Sequence, residues 1–275
     1  MRLPLSALFC FCITSLHVIA QDPTTNPPVG DDSDPIARPV LDSATTEQLL
    51  EPYRAAAEKK WAESIEDFDR LNREEPDPSD AILFIGSSSI RRWSTMATDM
   101  APYRTIRRGY GGAKYTDMAV FAERLISPHQ YRAIVMFVGN GVVGKEDDHT
   151  PNQIESLARH IVGVSHRHQP GAPFFLIEIT PCEKRWDAWP KIRAVNARLR
   201  EIALSTPDTY FIPTASHYLD TGGKPRPELF VEDRLHLSEA GYQLWSTLIR
   251  RRIDDVLRSM QADDAKVTSE TNTGN

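Results

Sequence analysis

The chain of 275 residues holds 20 Pro, 14 Gly, 25% charged and 40% hydrophobic residues, a composition that excludes a collagen, a disulfide-framework miniprotein and a wholly disordered chain. This length suits one α/β domain, which buries roughly 70–75% of the surface its unfolded chain exposes and so holds a full core without staples. The formal net charge of −6 offers no global basic field to collect phosphate backbones, so no nucleic-acid partner is expected.

Residues 1–20 carry one cation, Arg2, then an apolar stretch from Leu3 to Ala20 whose last residues, Val18-Ile19-Ala20, fit a small-residue cleavage site before Gln21. They read as a secretory signal peptide, with an uncleaved membrane anchor as the alternative. Cleavage removes Arg2, Cys10 and Cys12, taking the charge from −6 to −7 and leaving Cys182 as the only cysteine. The mature protein is expected in the periplasm or outside the cell, without stable membrane insertion and without an intramolecular disulfide. Residues 21–45, rich in Pro, Asp and Thr, read as a disordered linker, and 260–275 as a disordered tail around a domain at 46–259.

Within that domain, Trp61, Ile65, Phe68 and Leu71 share a face of a helix over 46–73 that Pro76 and Pro78 end. Short apolar runs at 81–85, 104–108, 133–138, 174–179 and 210–212 predict strands, separated by helices near 115–126, 151–168, 188–204 and 237–259. Continuous apolar strands alternating with amphipathic helices predict an α/β fold whose parallel sheet is covered on both faces. Ligands of such sheets bind beyond the carboxyl ends of the strands.

Four loops at those ends carry polar chemistry. After the first strand comes Gly86-Ser87-Ser88-Ser89-Ile90-Arg91-Arg92-Trp93, either a polar helix cap or a sharp turn presenting a hydroxyl where a helix dipole favours negative charge. The second loop, Arg107-Arg108-Gly109-Tyr110-Gly111-Gly112-Ala113, is a tight turn or a close backbone approach to a ligand. In the third, Val138-Gly139-Asn140-Gly141-Val142, the Asn is a turn residue or an amide donor. Before the last helix, Asp233-x-x-His236 allows a carboxylate to orient an imidazole; the alternative is a loop end with Ser238 as cap. His160, His166 and His168 read as a solvated helix surface, and no metal is expected.

Taken in order, these blocks resemble those of the SGNH hydrolases, also called GDSL-type esterases. They are most similar to exported bacterial members with a Gly-Ser-Ser-Ser-Ile first block and a Pro-Glu-Leu-Phe-x-x-Asp-x-x-His-Leu final block, here Gly86–Ile90 and Pro227–Leu237. The resemblance implies a three-layer α/β/α sandwich with a flavodoxin-like parallel sheet of about five strands. It also implies Ser88 as nucleophile with Ser87 at the usual Asp position, His236 as base, Asp233 as its partner, and an oxyanion hole from Ser88, Gly112 and Asn140, without metal or organic cofactor. Two positions depart from the pattern. Gly141 follows Asn140, and a one-residue shift would put Gly141 at the amide position; Ala113-Lys114 stands where a small polar residue is common.

The activity implied is ester hydrolysis. Trp93, Tyr110, Trp186 and Trp189 offer flat surfaces for sugar rings, or else pack in the core, and they direct the expectation toward deacylation, such as deacetylation, of carbohydrates. A lysophospholipase-like hydrolase and a catalytically weakened carbohydrate-binding protein are the alternatives.

Overall fold

Five short strands build one sheet: β1 (Ile82–Gly86), β2 (Thr105–Gly109), β3 (Ala133–Phe137), β4 (Phe174–Ile177) and β5 (Thr209–Ile212). They lie in the order β2-β1-β3-β4-β5, and every neighbouring pair is parallel. The coordinates are a computed structural model that describes residues 43–75 and 77–273. The expected signal peptide and all of the expected linker except residues 43–45 lie outside the described residues, as does Pro76.

Every residue of β1, β3 and β4 is buried, as their unbroken apolar runs require of strands covered on both sides. Side chains alternate between two cores. Leu83, Ile85, Ile134, Met136, Phe174 and Leu176 face one, while Ile82, Phe84, Ala133, Val135, Phe175 and Ile177 face the other. The first core is closed by α1 (Ser43–Glu74), α4 (Tyr115–Val120), α5 (Ala122–Ile126), α6 (Pro151–His168) and α7 (Trp189–Ser205), through residues such as Leu50, Ile65, Met118, Leu125, Ile161 and Ile192. The second is closed by α2 (Ser88–Arg92), α3 (Met96–Asp99) and α8 (Glu239–Thr273), through Ile90, Met96, Trp245, Ile249 and Ile253. The result is the expected three-layer sandwich.

Several boundaries differ from the sequence reading: most ends shift by one or two residues, and residues 43–45, read as disordered linker, already belong to α1. β4 stops at Ile177 rather than 179: the Asn196 side-chain amide accepts the Ile179 N–H at 2.9 Å and donates to the Ile179 carbonyl at 3.0 Å, which takes that backbone out of the sheet. The helix expected over 115–126 breaks at Phe121 into α4 and α5. The segment 260–275, read as a disordered tail, instead continues α8 to Thr273. Its apolar stripe ends near Leu257 and Met260, so periodicity gave no signal, while helix formers such as Gln261, Ala262, Ala265 and Lys266 extend the helix on propensity. No helix among the described residues is long and apolar enough to cross a membrane.

The strand order reverses direction between β1 and β3, and a doubly wound sheet opens a crevice at the carboxyl ends of such a pair. Gly86 ends β1 there with φ +148°, and a Cβ on it would sit 2.1 Å from the Phe137 carbonyl oxygen. Without a side chain, the chain hugs β3: Ser87 N–H donates to that carbonyl at 3.0 Å, and Tyr110 N–H donates to the Gly86 carbonyl at 3.0 Å.

Candidate active site

The turn after Gly86 buries Ser87 and places Ser88, half-buried, at the start of α2. Opposite it, the segment before α8 folds on itself. Val231 N–H donates to the His236 carbonyl at 2.9 Å and Arg234 N–H to the Val231 carbonyl at 2.8 Å, with Arg234 taking a positive φ of 54° to close the turn. Ser238 accepts the Gly241 N–H through Oγ, at 3.2 Å, and so caps α8 while its hydroxyl donates to the Glu228 carbonyl.

This closed turn aims two side chains at Ser88. His236 Nε2 lies 2.9 Å from Ser88 Oγ, and His236 Nδ1 lies 2.6 Å from Asp233 Oδ2. A carboxylate can only accept, so Nδ1 carries the proton and Nε2 is left to accept from the serine hydroxyl. The other oxygen, Asp233 Oδ1, accepts the backbone N–H groups of Leu235 and His236 at 3.0 and 2.9 Å. Partial burial works to raise the Asp233 pKa, but these hydrogen bonds from His236 and Leu235 prevail and hold it down to about 2. Arg92 Nη1 lies 3.5 Å from Asp233 Oδ2 and 2.9 Å from His236 Nδ1, adding a cation beside the carboxylate. A hydroxyl, an imidazole and a fixed carboxylate in this sequence can generate a nucleophilic oxygen.

Across from Ser88, Asn140 and not Gly141 reaches the cleft. Gly141 has φ +107° and supplies the turn behind it. Arg185 Nη2 donates to Asn140 Oδ1 at 2.5 Å, and Arg185 Nη1 donates to the Gly139 carbonyl. The carbonyl end of the amide is thereby occupied, and Nδ2 is the end left to donate. A Cβ built on Gly112 would lie 3.9 Å from that Nδ2, so Gly112 and the amide are neighbours. Arg185 was missed in the sequence reading: it sits in the turn after Cys182, 45 residues from its partner, and no local pattern signals the pairing.

Two hollows flank Ser88. A pocket of about 30 Å³ lies on the side of Phe137, Ile179, Cys182, Phe230 and Leu237. A cleft of about 650 Å³ opens on the other, walled by Trp61, Tyr110, Gly111 and Gly112. Asn140, Arg185, Leu235 and His236 border both.

The expected aromatic platform is not assembled. Trp93 is fully buried in the second core, stacked on Tyr242 with centroids 5.5 Å apart, and its Nε1 donates to Asp99 Oδ2 at 2.7 Å. Five residues past Ser88, about one and a half turns, it caps the short α2 on the side of the second core rather than the cleft. Trp186 stacks on the buried Trp189 at 6.1 Å and takes the Lys224 ammonium on its ring, away from both hollows. Tyr110 borders the cleft but is only 2% exposed, held edge-on between Trp61 at 5.1 Å and Phe68 at 6.4 Å. Trp61 and Phe68, expected to share one face of α1, are half-buried aromatics at the cleft. The three histidines of α6 are not a solvated surface: His160 is buried, and burial lowers the pKa of both His160 and His166. No cluster of potential metal ligands occurs among the described residues.

The family model of the GDSL-like lipase/acylhydrolase family matches residues 85–244, more than half of the chain and all four loops. Among solved structures, a protein from Streptococcus pneumonia provisionally assigned as a platelet activating factor superposes with a TM-score of 0.63 at 22% identity, covering 77% of this chain and 99% of that one. A GDSL-like lipase from Bacteroides thetaiotaomicron superposes with a TM-score of 0.60 at 16% identity, covering 70% and 98% of the two chains. These likenesses concern the fold. A comparison with curated proteins found no match.

Proposed function

The chain belongs to the GDSL-like lipase/acylhydrolase family, and from that premise we propose that it is an exported serine esterase that removes short acyl groups, acetyl foremost, from polar alcohols such as carbohydrates. The observation that carries the reading is His236 bridging Ser88 at 2.9 Å and Asp233 at 2.6 Å. In the reaction, Ser88 Oγ attacks the ester carbonyl as His236 Nε2 takes its proton. His236 returns that proton to the leaving alcohol, and water then hydrolyses the acyl-serine by the same route. Asp233 fixes the tautomer and balances the imidazolium charge. The Asn140 amide and the backbone N–H groups of Ser88 and Gly112 receive the tetrahedral oxyanion. No step calls for a metal or an organic cofactor.

The two hollows support the choice of ester. Roughly 10–15 Å³ accommodates a single water, so the 30 Å³ pocket fits an acetyl methyl group and not a fatty chain. The 650 Å³ cleft, bordered largely by polar and charged side chains, suits the alcohol portion. Hydrolysis of a series of p-nitrophenyl esters from acetate to octanoate tests both points. Acetate is expected to be cleaved fastest, and Ser88→Ala to lose turnover by a factor on the order of 10⁴ or more. A fluorophosphonate probe is expected to label Ser88 in the wild type. Octanoate cleaved as well as acetate would favour a lysophospholipase-like enzyme, and an unlabelled, inactive wild type would favour a binding protein.

A further inference from the structure

We propose that the cleft selects esters whose alcohol portion carries an anionic oxyacid group, a carboxylate or a phosphate, held by Arg91 and Arg107; the inference deepens the esterase reading of the same site and rests on it. The chain as a whole is negative, with a formal charge of −6. Its cleft is the reverse: Arg91, Arg92, Arg107 and Arg185 line it, and among the described residues Asp67 is the one carboxylate doing so.

The partners of these groups separate them into two kinds. Asp67 is paired with Arg70 at 2.9 Å, and Arg92 stands beside Asp233. Arg185 is committed to Asn140 and the Gly139 carbonyl. Arg107 places Nη1 on the Trp93 carbonyl at 2.7 Å, which neutralises no charge, and Arg91 and Arg107 form no ion pair with any described residue. Both are exposed. Two guanidinium groups with donors to spare therefore face the cleft next to Ser88.

Arg91 is also built into place. A Cβ on Gly111 would lie 2.8 Å from Arg91 Nε and 3.0 Å from its central guanidinium carbon, so the absence of a side chain at Gly111 lets the guanidinium lie against the loop that carries Gly112. A planar fork so held presents parallel N–H donors to the two oxygens of an oxyacid, and such charge-assisted pairs are stronger than neutral hydrogen bonds. The small pocket on the far side of Ser88 lacks both arginines, which assigns the anion to the alcohol and not to the acyl group.

The test compares kcat/KM on acetylated methyl glucuronoside, acetylated methyl glucoside 6-phosphate and acetylated methyl glucoside. At least one anionic ester is expected to exceed the neutral one by about tenfold or more, a margin that shrinks in 0.5 M salt. In the Arg91→Gln/Arg107→Gln variant the anionic-to-neutral ratio is expected to fall toward one. Preference confined to the first arm identifies uronic-acid esters, and preference confined to the second identifies phosphorylated alcohols. Calorimetric binding of the same three esters to the Ser88→Ala protein gives a readout that needs no turnover, again with an expected margin of about tenfold. Equal turnover of anionic and neutral esters overturns the inference and leaves the esterase reading standing. Absent turnover with anion-selective binding does the opposite. A ratio unmoved by the double variant overturns the assignment to these two arginines.

Discussion

Arg185 touches the outer end of Asn140 and takes no part of its own in the proposed chemical steps, which makes it a positioning residue in that proposal. Its Nη2 holds Oδ1 at 2.5 Å, and with that anchor removed the amide is free to turn its acceptor toward the oxyanion. Asn140→Ala is expected to lower kcat by about 10²–10³, the usual loss for one oxyanion donor. Arg185→Met, which keeps most of the buried volume, is expected to lower kcat by roughly 10-fold or more through the same amide, with KM changed little. The double variant distinguishes positioning from a separate role: it should be no slower than Asn140→Ala alone, and additive losses would contradict the assignment. At Asp233 the consequence is one of pH. Its pKa of about 2 lies below the ordinary 3.8, so its stabilising effect is complete above the ordinary value and is lost as pH falls through the folded value. The melting temperature of the wild type should exceed that of Asp233→Asn by a constant margin near neutrality, and the margin should close in strong acid. The side chain is 43% exposed, so solvent screening keeps the margin small.

At the scale of elements, the site depends on how tightly β1 is laid against β3. Gly86→Ala would push a methyl group to 2.1 Å from the Phe137 carbonyl at a φ of +148°, and both the clash and the backbone conformation oppose it. Urea denaturation is expected to show a loss of at least about 2–3 kcal/mol, and any folded fraction should be slow because Ser88 moves with the turn. An unchanged midpoint with full activity would show that the turn is not strained in this way. The sheet itself was legible because the apolar runs are short, uninterrupted and separated by helical periodicity, and two-sided burial writes itself into sequence as continuity. The turn at Asp233 and His236 was legible because its two side chains lie three residues apart. What escaped is what depends on distance or on orientation within an element. Arg185 meets Asn140 only because β3 and β4 are neighbours. Trp93 was misplaced because its orientation just past α2, fixed by packing on Trp245 and Tyr242, decides between cleft and core. The extension of α8 was missed because propensity continues where the apolar stripe stops.

For the molecule as a whole, the proposed export has to be compatible with its cysteine usage. A protein working in an oxidising compartment either pairs its thiols or hides them. If the mature chain begins at Gln21, it retains Cys182 alone, and Cys182 is 5% exposed against the small pocket beside Ser88. Burial raises the pKa of that thiol, although the nearby Arg185 works to lower it, so the thiolate needed for exchange or oxidation is suppressed. Stability then rests on the two cores, Trp245 and Phe84 on one face of the sheet and Phe174 and Ile134 on the other, with no covalent staple between them. The melting temperature of the mature protein should therefore be the same with and without reductant, and non-reducing electrophoresis should show no disulfide-linked dimer. Ellman's reagent should react with one thiol per chain in denaturant and only slowly in the native state. Rapid native labelling would mean that the pocket beside Ser88 opens to groups far larger than acetyl, which would also widen the range of acyl groups the enzyme accepts.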